Sequence, residues 1–463
     1  MPSVLEASPR PLWLDRGDPP IVPRPALDGD TEVDVAIVGG GFSGLWTAYY
    51  LTRIAPELRV LVLEAAWCGF GASGRNGGWC VGELAGSVES YAARSTLSEA
   101  RRQLRAVFDA VDEVGRVAAA EGIECGYSRG GAVRVARNRP QARRQREEVA
   151  HHRALGFTAD EIRLLGAAEA ADLVNATGVL SGIHLVPGAA VDPGRLVRGL
   201  ADVAERAGVR IVERTRVHTV GDHEVVTDRG RVEAGSVIRA TEAYTRDLPG
   251  ARRHLLPVYS LMVATEPLPP DVLAEIGLAT RPTFSDDRYS IIYGQRTDDG
   301  RIAFGGRGVP YLFGSRLDAG AEIHDGVHQL LADTLTELFP VLGGVRYTHR
   351  WGGPLGIPRN WTPGVAYDPV TGRGVLGGYV GEGVAASNLA GRTMAELVAG
   401  LDTERTSLPW VGAVSRPWEP EPLRWIGFRA SRRLITGADR RENRTGREAR
   451  VARALANRLR GRR

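Results

Sequence analysis

The pattern of apolar positions near the start of the chain predicts a buried strand, a helix and a second buried strand. Residues 33–38 read VDVAIV, a β-branched run typical of a strand that is covered on both faces. Three glycines at 39–41 follow it, and the apolar residues over 42–54 then take helical spacing. Residues 59–63 form a second apolar run that ends at Glu64. The pattern therefore predicts one βαβ unit.

The next part of the chain shows long helical patterns over residues 90–121 and 140–174, with a strand predicted between them at 131–137. Asp192 is a suitable N-cap for a further helix over 193–207, because a proline occupies the first helical position.

From residue 209 onward the sequence favours strands. A short strand is predicted at 209–213, and alternating apolar residues over 256–306 predict an antiparallel sheet with a hairpin. A late strand at 375–378 leads through a glycine-rich turn into a helix over 384–401.

Length and apolar runs limit the class of protein. The 463 residues have room for two or three domains at roughly 100 to 200 residues each. No apolar run near the N-terminus approaches the ~20 residues that a membrane-spanning helix needs. The first residues also lack the basic start and apolar stretch of a secretory signal. We therefore expect no transmembrane segment and a cytoplasmic location.

Residue types exclude several chemistries. The sequence contains no lysine, so all 59 basic residues are arginine, which excludes a Schiff-base lysine, a pyridoxal-phosphate anchor and a P-loop lysine. Cys68, Cys80 and Cys125 lack CxxC spacing and predict reduced thiols. His324 and His328 are four residues apart but have no third ligand, so no metal site is predicted.

Charge is concentrated at the C-terminus. Residues 429–463 hold thirteen arginines against Asp439, Glu442 and Glu448, a local charge of +10 in a chain of net charge +4. The remainder is acidic, so the overall charge is no evidence for binding nucleic acid, and none is expected as a partner. The basic segment is either a solvated surface helix or a peripheral contact with an anionic membrane.

The glycines of the βαβ unit match a dinucleotide-binding fingerprint. Gly39 permits a tight turn, Gly41 allows the backbone to approach a pyrophosphate, and Gly44 allows close packing of helix on strand. Glu64, twenty residues beyond Gly44, is placed to accept hydrogen bonds from a ribose and disfavours a 2′-phosphate. The motif alone does not distinguish FAD from NAD.

Further motifs carry a resemblance to a known family. GGGFSGLWTAYYL at 39–51 and GASGRNGG at 71–78 resemble the FAD-dependent amine and D-amino-acid oxidase (DAO) superfamily, and within it the bacterial gamma-glutamylputrescine oxidase-like group. The likeness extends over roughly residues 30–410 and includes RWGGPLG at 350–356 and GGYVGEGVAASNLAGR at 377–392.

The resemblance implies an α/β fold, α+β overall, with a Rossmann-like FAD-binding domain and a second, mainly antiparallel-sheet substrate domain. The expected boundaries are an N-terminal arm at 1–31, the FAD-binding domain at 32–90, 180–245 and 345–410, the substrate domain at 91–179 and 246–344, and a basic extension at 411–463.

The resemblance also implies which residues contact FAD. The dinucleotide fingerprint, the GASGRNGG segment, two strand ends and the late turn before the last helix supply them. They are Gly39, Gly41, Phe42, Ser43, Gly44, Glu64, Ala65, Gly71, Ala72, Ser73, Arg75, Asn76, Gly77, Gly78, Val217, Ala240, Thr241, Gly378, Tyr379, Gly381, Glu382, Gly383 and Val384. Glu242 departs from the family, which has a small or amide residue there.

The activity that the resemblance implies is oxidation of the C–N bond of a small amine or amino acid, by hydride transfer to flavin N5, to an imine that hydrolyses. The substrate is expected between the flavin and the antiparallel sheet. Candidate substrate-binding or catalytic residues are Tyr259, Tyr289, Tyr293, Arg307, His349 and Trp351. The alternative for each aromatic residue is a place in the core, and for Arg307 a surface ion pair.

Two absences bear on the flavin. No cysteine follows Cys125 and no histidine precedes His151, so the residues that hold FAD covalently in some members are missing, and non-covalent FAD is expected. Several oxidases of the superfamily activate oxygen with a lysine, which this chain lacks, so either an arginine or a histidine takes that role or oxygen is a poor acceptor. Three functions stay open: an oxidase, a dehydrogenase that passes electrons to a quinone or carrier protein, and a protein with a structural FAD.

Overall fold

The protein is described by a computed structural model that covers residues 3–16, 20–306 and 311–459. Within these ranges the strands form two eight-stranded sheets and a two-stranded ribbon. The strands are β1 Thr31–Val38, β2 Val60–Leu63, β3 Trp79–Val81, β4 Ala132–Ala136, β5 Ile162–Leu165, β6 Ser181–Leu185, β7 Gly188–Ala190, β8 Arg210–Val212, β9 Val217–Val220, β10 Glu224–Thr227, β11 Arg231–Arg239, β12 Leu255–Thr265, β13 Thr283–Asp286, β14 Ile292–Arg296, β15 Ile302–Gly306, β16 Tyr347–Pro358, β17 Gly364–Asp368 and β18 Arg373–Gly377.

The helices lie between and around these sheets. They are α1 Phe42–Ile54, α2 Val88–Ala92, α3 Leu97–Ala120, α4 Arg139–Ala154, α5 Ala167–Leu173, α6 Pro193–Arg206, α7 Pro270–Ile276, α8 Asp325–Leu338, α9 Gly383–Val398, α10 Leu423–Thr445 and α11 Arg450–Leu459. Across the described ranges, no helix has the length and hydropathy needed to cross a membrane.

The first sheet contains the predicted βαβ unit. Its strand order is β17-β18-β11-β1-β2-β8, and β10 and β9 extend from β11. β1 is parallel to both β2 and β11, and its residues from Val35 onward are buried. α1 packs against α9, where a Cβ on Gly391 would lie 2.5 Å from the Trp46 side chain. The mixed α/β fold predicted from the sequence is therefore confirmed.

The second sheet is mainly antiparallel, in the order β16-β12-β15-β14-β13-β4-β6-β5, and only β13 and β4 pair in parallel. Four of these strands, β12 to β15, lie within residues 255–306, and the alternation over 256–306 predicts an antiparallel sheet with a hairpin there. β16 pairs along the whole of β12, from Leu255 opposite Pro358 to Thr265 opposite Tyr347. Residues 347–358 therefore belong to the second sheet, although the expected boundaries assign them to the FAD-binding domain.

The long helical pattern over 140–174 is wrong as a single helix. α4 ends at Ala154, and Gly156 with φ +85° turns the chain back. Residues 162–165 then form β5, because Ile162 and Leu165 are buried where this strand pairs with β6. The pattern over 90–121 is likewise divided into α2 and α3, and the Thr96 side chain caps α3.

Described residues of the N-terminal arm and of the C-terminal extension pack on the two-sheet body. In the N-terminal arm, Trp13 is buried and donates from Nε1 to the Asn76 carbonyl at 2.8 Å. At the other end, both carboxylate oxygens of Glu442 in α10 accept from Arg144 Nη1 at 2.9 Å. The arm and the extension are therefore parts of the folded structure.

Candidate functional site

One cavity of about 780 Å³ extends from the first sheet to the second. Gly39 and Glu64 line one end, beside the carboxyl ends of β1 and β2, and Tyr293 and Asp287 line the other. The volume is within the range of about 300–1,000 Å³ that is typical of ligand pockets. The carboxyl edge of a parallel sheet is also where open α/β folds bind ligands.

The glycine turn at this edge has no room for side chains. Gly39 has φ +115°, and a Cβ there would lie 2.6 Å from the carbonyl oxygen of Ala240. A Cβ on Gly44 would lie 2.0 Å from the carbonyl oxygen of Gly39. These contacts require glycine in the roles that the fingerprint predicts, a tight turn and close helix packing.

Glu64 is held at the cavity wall by backbone hydrogen bonds. Its Oε2 accepts from Gly40 N at 2.8 Å and its Oε1 from Ala66 N at 2.9 Å. Burial raises the pKa of this carboxyl group, while the two N–H donors oppose the shift. Each carboxylate oxygen has a second lone pair, which leaves acceptor capacity for ribose hydroxyl groups.

The segment 71–78 passes from this edge toward the second sheet. Ser73 Oγ accepts from Phe42 N, at the start of α1, at 2.8 Å. Asn76 bonds back to the carbonyls of Ala72 and Ser73, and its Oδ1 accepts from Gly78 N at 2.7 Å. The segment is thus fixed beside the helix N-terminus, where the helix dipole favours an anion such as a pyrophosphate.

The late turn brings a second helix N-terminus to the cavity. Residues 379–384 line it, and α9 begins at Gly383. Glu242, a residue with φ +42°, lies beside this turn, where the backbone N–H groups of Gly378 and Tyr379 oppose the rise in its pKa. Burial raises the pKa of Glu242 to about 7. The departure from the family pattern therefore places a buried carboxyl group against the late turn, where a Cβ on Gly377 would lie 3.8 Å from Glu242 Oε2.

Glu242 also bears on whether a flavin fits. Its Oε2 is buried without a hydrogen-bond partner among the residues described. Buried polar atoms are nearly always satisfied, so this oxygen indicates a missing donor or a neutral carboxyl group. The orphaned oxygen, the glycine turn and the two helix N-termini fit a dinucleotide that crosses the cavity.

Two tyrosines line the cavity at the second sheet. Tyr293 OH lies 2.7 Å from Ser260 Oγ, and a Cβ on Gly77 would lie 2.6 Å from the Tyr293 ring. Tyr259 OH accepts from Asp318 N at 2.6 Å. Tyr293 is therefore packed directly on the segment expected beside the flavin ring.

Beyond Tyr293 the cavity ends in a polar chamber formed by Arg134, Glu148 and Asp287. The guanidinium group of Arg134 lies 2.8 Å from Glu148 Oε2 and 3.2 Å from Asp287 Oδ1. Two histidines of α4, His151 and His152, continue the polar lining. The sequence analysis does not identify this chamber. Its one signal is an arginine inside the apolar strand pattern at 131–137.

Most of the predicted FAD-contacting residues line the cavity. Gly44, Gly78 and Gly378 do not. Gly44 packs α1 on its strand, and a Cβ on Gly78 would lie 2.1 Å from the Val191 carbonyl oxygen.

The predicted substrate residues separate into two groups. Tyr259 and Tyr293 line the cavity, and Arg307 lies outside the described residues. His349 and Trp351 are buried beneath the N-terminal arm instead: His349 Nε2 lies 3.4 Å from Asp15, and Trp351 packs edge-on against the arm's tryptophan. The arm covers their end of β16 and so removes them from the cavity.

Trp351 still acts on the site indirectly, because its Nε1 donates to the Arg75 carbonyl at 2.9 Å. Tyr289 packs its ring on the Arg144 guanidinium group, 4.5 Å away, outside the cavity lining. Over the described part of the chain, no group of three or more His, Cys, Asp or Glu residues could hold a metal ion.

Comparisons with known proteins agree with this geometry. The family model described as "FAD dependent oxidoreductase" (DAO) matches residues 34–397. The chain is 30% identical to gamma-glutamylputrescine oxidoreductase of Escherichia coli (strain K12) over 393 residues, 83% of this chain and 87% of that protein. It is 28% identical to the probable oxidoreductase OrdL of Rhizobium meliloti over 416 residues, 86% of this chain and 90% of that protein. Glycine oxidase from Geobacillus kaustophilus has a similar fold, with a TM-score of 0.66 at 22% identity over 80% of this chain and 96% of that one.

Proposed function

Because the chain belongs to the FAD-dependent oxidoreductase (DAO) family, we propose that it oxidises the C–N bond of a small amine or amino acid. FAD, when bound, supplies the two-electron acceptor for a hydride from the carbon beside the nitrogen, which leaves an imine that water hydrolyses. The relative with 30% identity is a gamma-glutamylputrescine oxidoreductase, which supports an amine as the substrate.

The observation that carries the proposal is the continuity of the cavity. The same cavity is lined by Glu64 and Gly41 at its dinucleotide end and by Tyr293 and Asp287 at its other end. A substrate held at the second sheet therefore lies next to a flavin held at the first. Positioning of this kind supplies much of the rate enhancement in an oxidation whose chemistry belongs to the cofactor.

The residues of the chain have distinct proposed roles. Glu64 binds the ribose, and the N-terminus of α1 stabilises the pyrophosphate. The N-terminus of α9 stabilises negative charge at the ring end of the cofactor. Tyr293 and Tyr259 orient the substrate, and the cavity wall that they form keeps water from the reacting carbon.

The polar chamber supports a substrate with a polar distal end. Arg134 offers donors to a carboxylate or amide oxygen, while Glu148 and Asp287 offer acceptors to an ammonium or amide N–H. Groups of both signs in one chamber suit an amine that carries an amino-acid or amide group better than a purely apolar amine.

Anaerobic mixing tests the proposal. The FAD-loaded protein is mixed with N-methyl amino acids, polyamine derivatives, D-amino acids and aminophosphonates, and absorbance near ~450 nm is followed. We expect bleaching by at least one of these classes. If the flavin stays oxidised with every one, the FAD is structural and the proposal fails.

A second candidate function, a dehydrogenase, is favoured by the absence of lysine from the sequence. Without a lysine beside the flavin, a quinone or an electron-carrier protein replaces oxygen as the acceptor. Stopped-flow mixing of the reduced protein with air-saturated buffer separates the two. Fast reoxidation refutes the dehydrogenase, and slow reoxidation that an added quinone accelerates refutes the oxidase.

A further inference from the structure

Helix α10 packs on the rest of the protein, but it also exposes several apolar side chains to solvent. Leu423, Ile426 and Leu434 are exposed to 60%, 53% and 38%, and they follow helical spacing along one side. Phe313 is exposed to 58% and lies beside this helix, with its ring 6.3 Å from that of Trp425. We call Phe313, Leu423, Ile426 and Leu434 the apolar stripe.

The outward side of the same helix carries positive charge only. Its five exposed arginines are Arg429, Arg433, Arg440, Arg441 and Arg444. The two acidic residues of the helix face inward: Asp439 accepts from Tyr289 N at 2.7 Å, and Glu442 is 1% exposed against Arg144. No carboxylate of α10 therefore offsets the charge of this side.

A basic groove of about 990 Å³ adjoins the stripe, and Leu434 lines it as well. The groove lies between α4, α10 and the start of α11. Its arginines are Arg139, Arg143, Arg146, Arg433, Arg441, Arg447 and Arg450. The single carboxylate in its lining, Glu448, is already paired with Arg143 and Arg453. We call this feature the arginine groove.

We propose that the apolar stripe and the arginine groove form a docking surface for an anionic phospholipid bilayer. The apolar side chains enter the boundary between headgroups and acyl chains, and the guanidinium groups bind lipid phosphates, which planar arginine does bidentately. Polybasic segments of this kind are attracted to anionic lipid surfaces.

Charge and polarity together favour a bilayer over other occupants. A nucleic acid would match the arginines but would leave Leu423, Ile426 and Phe313 without apolar contact. A second copy docked symmetrically through the same surface would bring arginine against arginine, which is unfavourable between like charges. An anionic bilayer satisfies both parts of the surface.

Vesicle sedimentation of the FAD-loaded full chain tests the proposal. The probes are vesicles of phosphatidylcholine alone and of phosphatidylcholine with phosphatidylglycerol. We expect binding to the anionic vesicles only, and weaker binding as salt rises, because salt screens exposed charges. Absence of binding to anionic vesicles at low salt would overturn the proposal, as would equal binding to both kinds.

Two sets of variants assign the binding to this surface. Changing three exposed arginines of the groove, Arg433, Arg441 and Arg447, to Gln should lower the affinity for anionic vesicles about 100-fold. The matched control changes three exposed arginines elsewhere, Arg206, Arg229 and Arg252, to Gln and should lose much less. An equal loss in both sets would mean non-specific attraction and would contradict the proposal.

The apolar part is tested in the same way. Leu423→Ser with Ile426→Ser should weaken vesicle binding about tenfold. Val22→Ser with Val370→Ser, at two valines that are each 84% exposed, is the control and should not weaken it. Retention of FAD absorbance confirms folding of each variant.

Tighter binding to a duplex oligonucleotide than to anionic vesicles, or self-association in sedimentation velocity, would overturn the bilayer in favour of those occupants.

Discussion

At the scale of single residues, the dinucleotide turn requires glycine mainly because neighbouring atoms leave no space for a side chain, rather than because the backbone must be flexible. Gly44 lies inside α1, and its missing side chain leaves room for the Gly39 carbonyl, 2.0 Å from where a Cβ would be. The position of this Cβ and that of the Gly39 carbonyl are both set by the backbone. Neither can move aside as the end of a flexible side chain can. The sequence motif predicts this contact because the fingerprint encodes it.

We expect Gly44→Ala to lower the free energy of unfolding by about 3 kcal/mol, because it overpacks backbone on backbone. The matched control is Gly427→Ala, also within a helix but with nothing within 4 Å of its Cβ position. Alanine there should raise the free energy of unfolding by up to about 1 kcal/mol. Denaturant unfolding of both variants tests the pair, and equal effects would contradict the packing argument.

Glu242 makes a prediction about pH. Burial raises its pKa to about 7 in the folded protein, above the ordinary value of an unfolded glutamate. Between about pH 4.5 and 7 the folded state therefore keeps a proton that the unfolded state has released. The free energy of unfolding consequently falls as pH rises through this range. Glu242→Gln removes this loss.

Relative to wild type, the variant should gain unfolding free energy between pH 5 and 8, by at most about 3 kcal/mol. Glu266→Gln is the control, since hydrogen bonds from Arg346 lower the pKa of Glu266 and place its titration below this range. Thermal unfolding across pH measures both, and parallel curves for wild type and Glu242→Gln would refute the buried titration.

At the scale of elements, one loop connects the cavity to the C-terminal extension, because it lines the cavity and also accepts support from helix α10. Residues 286–288 line the cavity, and Asp439 of α10 accepts from the next backbone N–H groups, those of Tyr289 at 2.7 Å and Ser290 at 2.8 Å. Arg144 binds the Asp287 carbonyl at 2.7 Å from the other side. Asp439 is thus a positioning residue for the loop at the polar chamber.

We expect Asp439→Ala to raise KM about tenfold and to change kcat little, because the loop loses two hydrogen bonds but the flavin is untouched. Faster hydrogen exchange at the Tyr289 and Ser290 amides is the readout that needs no substrate. Asp368→Ala is the control, since Asp368 also accepts two hydrogen bonds but in an exposed turn. A fall in kcat at constant KM would contradict the positioning role.

Sequence patterns predicted the elements best where local and tertiary preferences agree. The helical pattern over 42–54 coincides with α1, and Asp192 caps α6 as its side chain chemistry indicates. The pattern over 140–174 failed because pairing with β6 overrides its helical spacing. His349 and Trp351 could not be placed from sequence either, since nothing in β16 shows that the arm covers them.

At the scale of the molecule, the dinucleotide end of the site was predictable and the polar chamber was not. The dinucleotide end is built from short, contiguous motifs of fixed spacing. Arg134, Glu148 and Asp287 come from three separate segments that only the second sheet and α4 bring together. Their side chains leave no periodic mark in the sequence.

The whole sequence also bears on how FAD is held. No cysteine follows Cys125, and the three cysteines are buried and unpaired. We expect acid precipitation to release all of the yellow chromophore into the supernatant, which absorbance of the two fractions measures. Colour that remains in the protein pellet would show a covalent link and contradict this expectation.

The central claim is that an amine is oxidised in the cavity that also holds FAD, and the rate of anaerobic flavin bleaching tests it most directly. The comparison uses Tyr293→Phe, which removes a hydroxyl group bonded to Ser260 at 2.7 Å in the cavity. Tyr367→Phe is the matched control, because it removes an equivalent hydroxyl group bonded to Ser236 at 2.7 Å outside it. With the most effective amine, we expect wild type and Tyr367→Phe to bleach alike and Tyr293→Phe to bleach about tenfold more slowly. Failure of every amine to bleach the wild type, or equal rates in the two variants, would contradict the account.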